Sequence, residues 1–264
     1  CEGQPGVSQD KTLLDTAAVY DVAIESPLEA AEHLTQRLGF KVLLKREDLQ
    51  PVHSFKLRGA HNKIKHLSPE QRAKGVIAAS AGNHAQGVAL SAQKLGISAL
   101  IVMPRTTPDI KVQAVKNYGA EVVLAGDSYS EAYEHCTSLI QSEARVFIHP
   151  FDDLLVIAGQ GTIGQEILVQ SPDVTHIMVP VGGGGLIAGI AEYVKSVRPE
   201  VQIIGVEPED SSAMHDSLAA GRRVTLDHVG IFADGVAVKQ VGKLTYSVAK
   251  KHVAQVITVD NDHI

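Results

Sequence analysis

The chain has 264 residues, 44% of them hydrophobic and 20% charged, with a formal net charge of -6, aromatics at 4% and no tryptophan. That length and balance suit a folded protein with a real core, in one large domain or two smaller lobes. An acidic chain poor in rings offers neither the basic face nor the stacking platforms of a nucleic-acid binder, and no apolar run is long enough for a membrane span, so neither partner is expected.

The first helix signal comes at Ser54, which is placed to cap a helix running to about Leu67. Ser68-Pro69 with Gln71 reads as a capping box with proline in the first turn, and Thr107-Pro108-Asp109 repeats the idea. Three glycines then punctuate helix-to-strand junctions. Gly75 precedes V-I-A-A, Gly96 precedes S-A-L-I-V-M and Gly119 precedes E-V-V-L, each suited to a left-handed helix end. A second series predicts a helix near 161–170, a strand over 176–180, a glycine loop, a helix over 186–197 and a strand over 202–206. Between the two series, F-I-H-P-F-D-D is polar and contains proline, and reads as a crossing between lobes, with Asp152 and Asp153 making polar contacts there. Strands alternating with helices imply parallel sheets, right-handed crossovers and helices on both faces. Ligands of such sheets bind beyond the carboxyl ends of the strands.

Cys1 and Cys136 are the only cysteines, too few for a disulfide framework or a zinc site, so a soluble protein of a reducing compartment is expected. None of the 12 histidines sits in a metal-ligand spacing such as H-E-x-x-H, no G-x-S-x-G is present, and no metal is expected. The chain starts at Cys rather than Met. It stops at V-I-T-V-D-N-D-H-I, a strand followed by helix-capping residues with no helix after them. It is expected to be a fragment of a longer protein.

Three segments are candidates for chemistry. Val181 to Leu186, V-G-G-G-G-L, stands between a strand and a helix, where exposed amide N–H groups and the helix dipole favour an anion such as phosphate. The same stretch, with Glu207 closing the next strand, also fits a dinucleotide fingerprint, so a nicotinamide-binding protein is an alternative. In S-F-K-L-R-G, Lys56 would become a nucleophilic amine if its surroundings were desolvated, and Gly59 one turn later would let a bulky group approach it. Most helical lysines are solvated, so the segment gains weight only beside the others. In S-A-G-N-H-A-Q-G, the small residues at a strand-to-helix turn offer N–H donors to a carboxylate, with Asn83 adding a side-chain donor.

Together, in this order and spacing, the three segments resemble the fold-type II pyridoxal-phosphate (PLP) enzymes, the tryptophan synthase β family, and within it the serine/threonine dehydratase branch. K-R-E-D-L-Q-P-V-H-S-F-K-L-R-G-A around Lys56 is especially similar to the biosynthetic threonine dehydratases, and the resemblance runs from about residue 25 to the end. It implies a two-lobed α/β fold, each lobe a mostly parallel sheet flanked by helices, with a large lobe of 1–65 plus 150–264 and a small lobe of 66–149. It implies PLP carried on Lys56 as a Schiff base, with Lys56 the catalytic base. Phe55, Asn83, Gly182, Gly183, Gly184, Gly185 and Leu186 would bind the cofactor. Ser80, Ala81, Gly82, Asn83 and His84 would bind the substrate carboxylate. The implied reaction is dehydration and deamination of L-threonine, or of L-serine, by a homo-oligomer of the cytoplasm or plastid stroma. Against this pattern the dinucleotide alternative falls away.

Two departures separate the chain from the serine racemases that the resemblance also covers. Those carry a proton-exchanging serine where this chain has Ala81. They also hold a divalent cation with a carboxylate six residues after the glutamate matching Glu207, where this chain has Ala213.

Overall fold

The computed structural model describes residues 13–264, so Cys1 lies outside the described residues. The chain opens with a short antiparallel pair, β1 (Leu28–Ala30) and β2 (Leu43–Lys45), joined through α1 (Glu32–Leu38). The sequence reading offered nothing here, because three-residue strands carry no readable period. Next come α2 (Lys56–Lys65), α3 (Pro69–Lys74), β3 (Val76–Ala79), α4 (Asn83–Leu95), β4 (Ala99–Met103), α5 (Asp109–Asn117), β5 (Glu121–Leu124), α6 (Tyr129–Glu143) and β6 (Val146–Phe147). Their strands form a four-stranded parallel sheet in the order β5-β4-β3-β6.

Both faces of that sheet are buried, in register with the strand period. Val76, Ala78, Ile101 and Met103 join a core with Ile64, Val88 and Val115, while Ile77, Ala79, Leu100 and Val102 face Ala132 and Cys136 on the other side. Alternate residues on opposite faces, apolar on both, are what a helix-covered parallel strand demands.

A second parallel sheet, in the order β7-β8-β9, comprises β7 (His176–Pro180), β8 (Gln202–Pro208) and β9 (Gln255–Val259). It is accompanied by α7 (Leu154–Gln170), α8 (Gly185–Val197), α9 (Ala213–Ala219) and α10 (Lys243–His252). Here the expectation of helices on both faces is met less completely: β7 alternates, with Ile177 and Val179 buried and Met178 60% exposed.

The capping box at Ser68 forms as read, Ser68 Oγ accepting from Gln71 N. Thr107 does not repeat it; α5 begins after Pro108 without a side-chain cap, and the Thr107 hydroxyl is buried without a partner among the described residues. Gly96 ends α4 in the left-handed conformation, whereas Gly75 has φ +76 with ψ 178, a kink into β3 rather than a left-handed cap. The largest departure is α7, which starts at Leu154, seven residues before the expected helix. Its glycines are contact points: a Cβ on Gly159 would lie 2.7 Å from Arg58 O, and one on Gly161 3.0 Å from Gly189 O. Asp153 caps α7 by accepting from Leu155 and Val156 N, and Asp152 accepts from Lys243, Leu244 and Thr245 N at the start of α10. The two carboxylates are therefore helix caps, with Asp153 also ion-paired to Lys63 at 2.7 Å. Among the described residues no helix is long and apolar enough to cross a membrane.

Candidate active site

α2 is the hub. It packs on α4 of the first sheet and on α7 of the second, and Lys56 is its first residue. Close approach on both sides depends on missing side chains. A Cβ on Gly59 would meet Gln160 Nε2 at 2.5 Å and Val156 O at 2.7 Å, and one on Gly87 would lie 3.0 Å from the Leu57 backbone. Gly59 thus serves the α2–α7 contact, not the approach of a ligand to Lys56.

Behind the lysine, α2 is held by a buried ionic network that the sequence reading missed. Arg58 is fully buried and donates to Glu47 through Nε and NH2, both at 2.8 Å, and to Glu166 through NH1 at 2.5 Å and NH2 at 3.0 Å. Lys45 Nζ lies 2.6 Å from the Glu166 carboxylate, and Tyr20 donates to it at 2.8 Å. Burial alone would raise the Glu166 carboxyl, but the Arg58 donors outweigh it and hold the group below its usual range.

In front of α2 lies a cavity of about 870 Å³ between the carboxyl ends of the two sheets. Phe55, Lys56, Ser80 to His84 and Gly182 to Leu186 all line it, so the structure brings part of each of the three segments, including every candidate site residue, to one place. Burial lowers the proton affinity of the Lys56 amine, opposed by the Asp234 carboxylate on the far wall, and Lys56 Nζ has no hydrogen-bond or ion-pair partner among the described residues. Asp234 itself pairs with Lys111 of α5 at 3.4 Å.

Two helix N-termini open into this space. α8 begins after Gly184, φ +94, without a side-chain cap, and no protein acceptor among the described residues meets the amide N–H groups of residues 182–187. The loop owes its shape to neighbours. A Cβ on Gly183 would lie 2.2 Å from the Phe151 ring, and Thr245 Oγ1 donates to Gly183 O at 2.6 Å. α4 begins after Gly82, again uncapped; Ser80 Oγ accepts from Gly82 N, and the N–H groups of residues 83–85 are likewise unpaired among the described residues. Asn83 is exposed, its side chain without a partner among the described residues. Burial pushes the His84 imidazole down to about 3, and its ring is tied to Ile148 O at 2.8 Å, so what His84 offers the cavity is its backbone N–H. Two sets of oriented donors and one neutralisable amine make a site for a ligand with two anionic groups and an electrophilic carbon.

Glu207 does not face the glycine loop as a dinucleotide site requires. Both its oxygens accept amide N–H groups at the start of α9, from Met214 at 2.9 Å and His215 at 2.8 Å, and burial pushes it up to about 7. Wall residues that no motif signalled include His149, Phe151, Tyr129, Tyr133, Lys111 and Asp234.

Comparison with known proteins agrees with this geometry. The chain is 61% identical over 254 residues to a protein of Arabidopsis thaliana named threonine dehydratase biosynthetic, chloroplastic, covering 96% of this chain and 43% of that one. It is 57% identical over 251 residues to L-threonine dehydratase biosynthetic IlvA of Burkholderia multivorans, covering 94% and 50%. The chain therefore spans about half the length of the curated relatives it matches. Among solved structures, the processed form of threonine deaminase isoform 2 from Solanum lycopersicum superposes with a TM-score of 0.96 at 50% identity, covering 98% of this chain and 76% of that one. Residues 19–264 match the family described as pyridoxal-phosphate dependent enzyme, and the chain belongs to that family.

Proposed function

We propose that the chain carries the catalytic domain of a PLP-dependent L-threonine ammonia-lyase, converting L-threonine to 2-oxobutanoate and ammonia in the first step of isoleucine biosynthesis. One observation carries this reading: a single cavity joins the desolvated Lys56 amine to two helix ends with unpaired amides. The names of the relatives support the substrate.

The residues present fit PLP. The amides of Gly182, Gly183, Gly184, Gly185 and Leu186 would hold its phosphate, Phe55 would flank its ring, Asn83 would meet its ring hydroxyl, and Lys56 would be its attachment point. Bound there, PLP supplies the electron sink that makes the α-proton of an amino acid removable. The turn from Ser80 through Ala81, Gly82 and Asn83 to His84 would orient the substrate carboxylate through backbone N–H groups. Burial lowers the proton affinity of Lys56 Nζ, and once the substrate amine has displaced it from its attachment the free amine would take the α-proton. The β-hydroxyl would then depart as water, taking up one proton, and hydrolysis of the released enamine leaves 2-oxobutanoate and ammonia. Ala81 has no proton to exchange, which favours elimination over racemisation; L-serine is the alternative substrate.

Cys136 is a free, buried thiol, consistent with a reducing compartment, cytoplasm or plastid stroma. The reading further takes 1–65 with 150–264 as a large lobe, 66–149 as a small one, and the parent protein as a homo-oligomer.

The test is the visible spectrum of the PLP-loaded protein and of Lys56→Ala, together with product analysis. A band that responds to L-threonine in the wild type, lost or altered in Lys56→Ala, with 2-oxobutanoate formed, is the expected result. No such band would sink the PLP assignment, and pyruvate from L-serine formed much faster than 2-oxobutanoate would move the substrate to serine.

A further inference from the structure

His149 belongs to none of the three segments, yet it stands on the cavity wall between them. It follows β6, which pairs with β3 at Val76↔Val146 and Ile77↔Phe147, with Ile148 N continuing to Ile77 O. That register brings His149 to the same sheet edge as the Ser80–Gly82 turn. Two residues later Phe151 fills the space beneath Gly183 and Gly185, at the other cradle.

The ring is fixed in place and in tautomer. Its plane meets those of Phe147 and Phe151 edge-on, at centroid distances of 5.8 and 4.7 Å. Nδ1 accepts the backbone N–H groups of Phe151 at 3.1 Å and Asp152 at 2.7 Å. A ring nitrogen that accepts two hydrogen bonds cannot carry the proton, so the proton resides on Nε2. Nε2–H, on the opposite edge of the ring, has no acceptor among the described residues. Burial lowers the proton affinity of the imidazole, which keeps it neutral and this tautomer in place.

We propose that His149 is a specificity-determining residue that recognises the β-hydroxyl of the substrate, donating a hydrogen bond from Nε2–H to that oxygen. The inference rests on the hydroxy-amino-acid reading above. The two anions of the bound pair go to the two amide cradles, and Lys56 serves the α-carbon. The one further acceptor on a β-hydroxy amino acid is the hydroxyl. Of the remaining wall donors, Tyr129, Ser130, Tyr133 and Lys239 are exposed, and Lys111 is paired with Asp234. Arg223 donates to Val241 O and Gln240 Oε1, and Gln240 donates to Thr225 Oγ1. The half-buried His149, by contrast, stands between the cradles with its Nε2–H unengaged among the described residues. A site that donates to a substrate hydroxyl discriminates against the analogue that lacks it.

Two substitutions separate this role from a merely structural one. Asn places an oxygen where Nδ1 is and keeps the turn at Phe151 and Asp152, but has no distal donor. Gln places an N–H where Nε2–H is but loses the acceptor of the turn. With the holoenzyme, His149→Asn is expected to lose about tenfold in kcat/KM for L-threonine, the scale of one lost hydrogen bond, while His149→Gln stays within about threefold. The dissociation constant of L-2-aminobutyrate, which is threonine without its hydroxyl, is expected to be unchanged in both. Nitrogen-15 imidazole spectra of the resting holoenzyme are expected to show the Nε2–H tautomer. Rescue by Asn and not Gln, equal loss for L-2-aminobutyrate, or an Nδ1–H tautomer would each overturn the inference while leaving the reaction assignment standing. A wild type that binds PLP but forms no keto acid from L-threonine overturns both.

Discussion

Replacing Glu166 by alanine tests whether the ionic network behind Lys56 holds the lysine helix in place. The carboxylate receives two N–H groups of Arg58, the Tyr20 hydroxyl and Lys45 Nζ, all within 3.0 Å. Without it, Arg58, with its side chain 0% exposed, keeps Glu47 as its one carboxylate, and Lys45, 9% exposed, keeps only the neutral acceptors Ser26 O and Gln170 Oε1. Removing one partner of a buried pair costs about 3–5 kcal/mol, because the remaining charge has lost its compensation. Arg58 would keep both bonds to Glu47 and one to Thr162, which places the expected loss near 3 kcal/mol, at the lower end of that range. Against a typical stability of about 5–15 kcal/mol this is a large fraction. With a urea slope of about 3 kcal/mol/M, the midpoint moves down by about 1 M, followed by far-ultraviolet circular dichroism. The pH dependence carries the same information. A carboxyl held below its usual range gives stability that is fully present above the unfolded-state value, about 4.3, and is lost as pH falls through the lower folded-state value. The variant should therefore lose part of the acid-induced drop in stability. A midpoint shift below about 0.3 M, the scale of a surface pair, with the acid limb unchanged, would refute the reasoning.

Gly183→Ala forces a Cβ to within 2.2 Å of the Phe151 ring; the chain is expected to fold with PLP affinity lowered about tenfold or more in a fluorescence titration, and unaltered affinity would contradict the packing argument. Glu207 is pushed up to about 7, so the folded state binds the extra proton between about pH 4.5 and 7 and stability falls as pH rises through that window; Glu207→Gln should flatten that slope in urea midpoints taken across the range. Asp234→Asn removes the carboxylate that opposes the loss of proton affinity at Lys56, so the pH at which half the PLP becomes attached to the amine should move down, and an upward or absent shift would exclude the through-space effect.

What could be read from the sequence was local. The glycine run, the capping box and the small residues after β3 act within a few residues of themselves, and the structure brings all three motifs to one cavity. What could not be read was set by distant partners. Gly59 invites a local account, yet the atoms a Cβ would strike belong to Val156 and Gln160. The same holds for the glycines of α7, which look like breaks in a helix until their neighbours on α2 and α8 are in view. Asp152 and Asp153 were legible as polar contacts, but their caps lie on two different helices, one of them some ninety residues on. Arg58 lies inside the lysine motif, and nothing nearby announces that its second carboxylate is Glu166.

These distant contacts explain why the lysine sits at the start of α2 and not elsewhere on it. A helix packed on one sheet's helix through Gly87 and on the other's through Gly59 is held from both sides at backbone distance. Arg58 then fixes its rotation, since a turn of the helix would pull the guanidinium from two carboxylates. With rotation and depth both set, only the first residue of α2 projects beyond the packed helices into the gap between the sheets. There the two uncapped helix ends already face the same space. Precision at the amine is thus a consequence of packing on its far side, and substitutions behind the helix should alter cofactor attachment without touching the cavity.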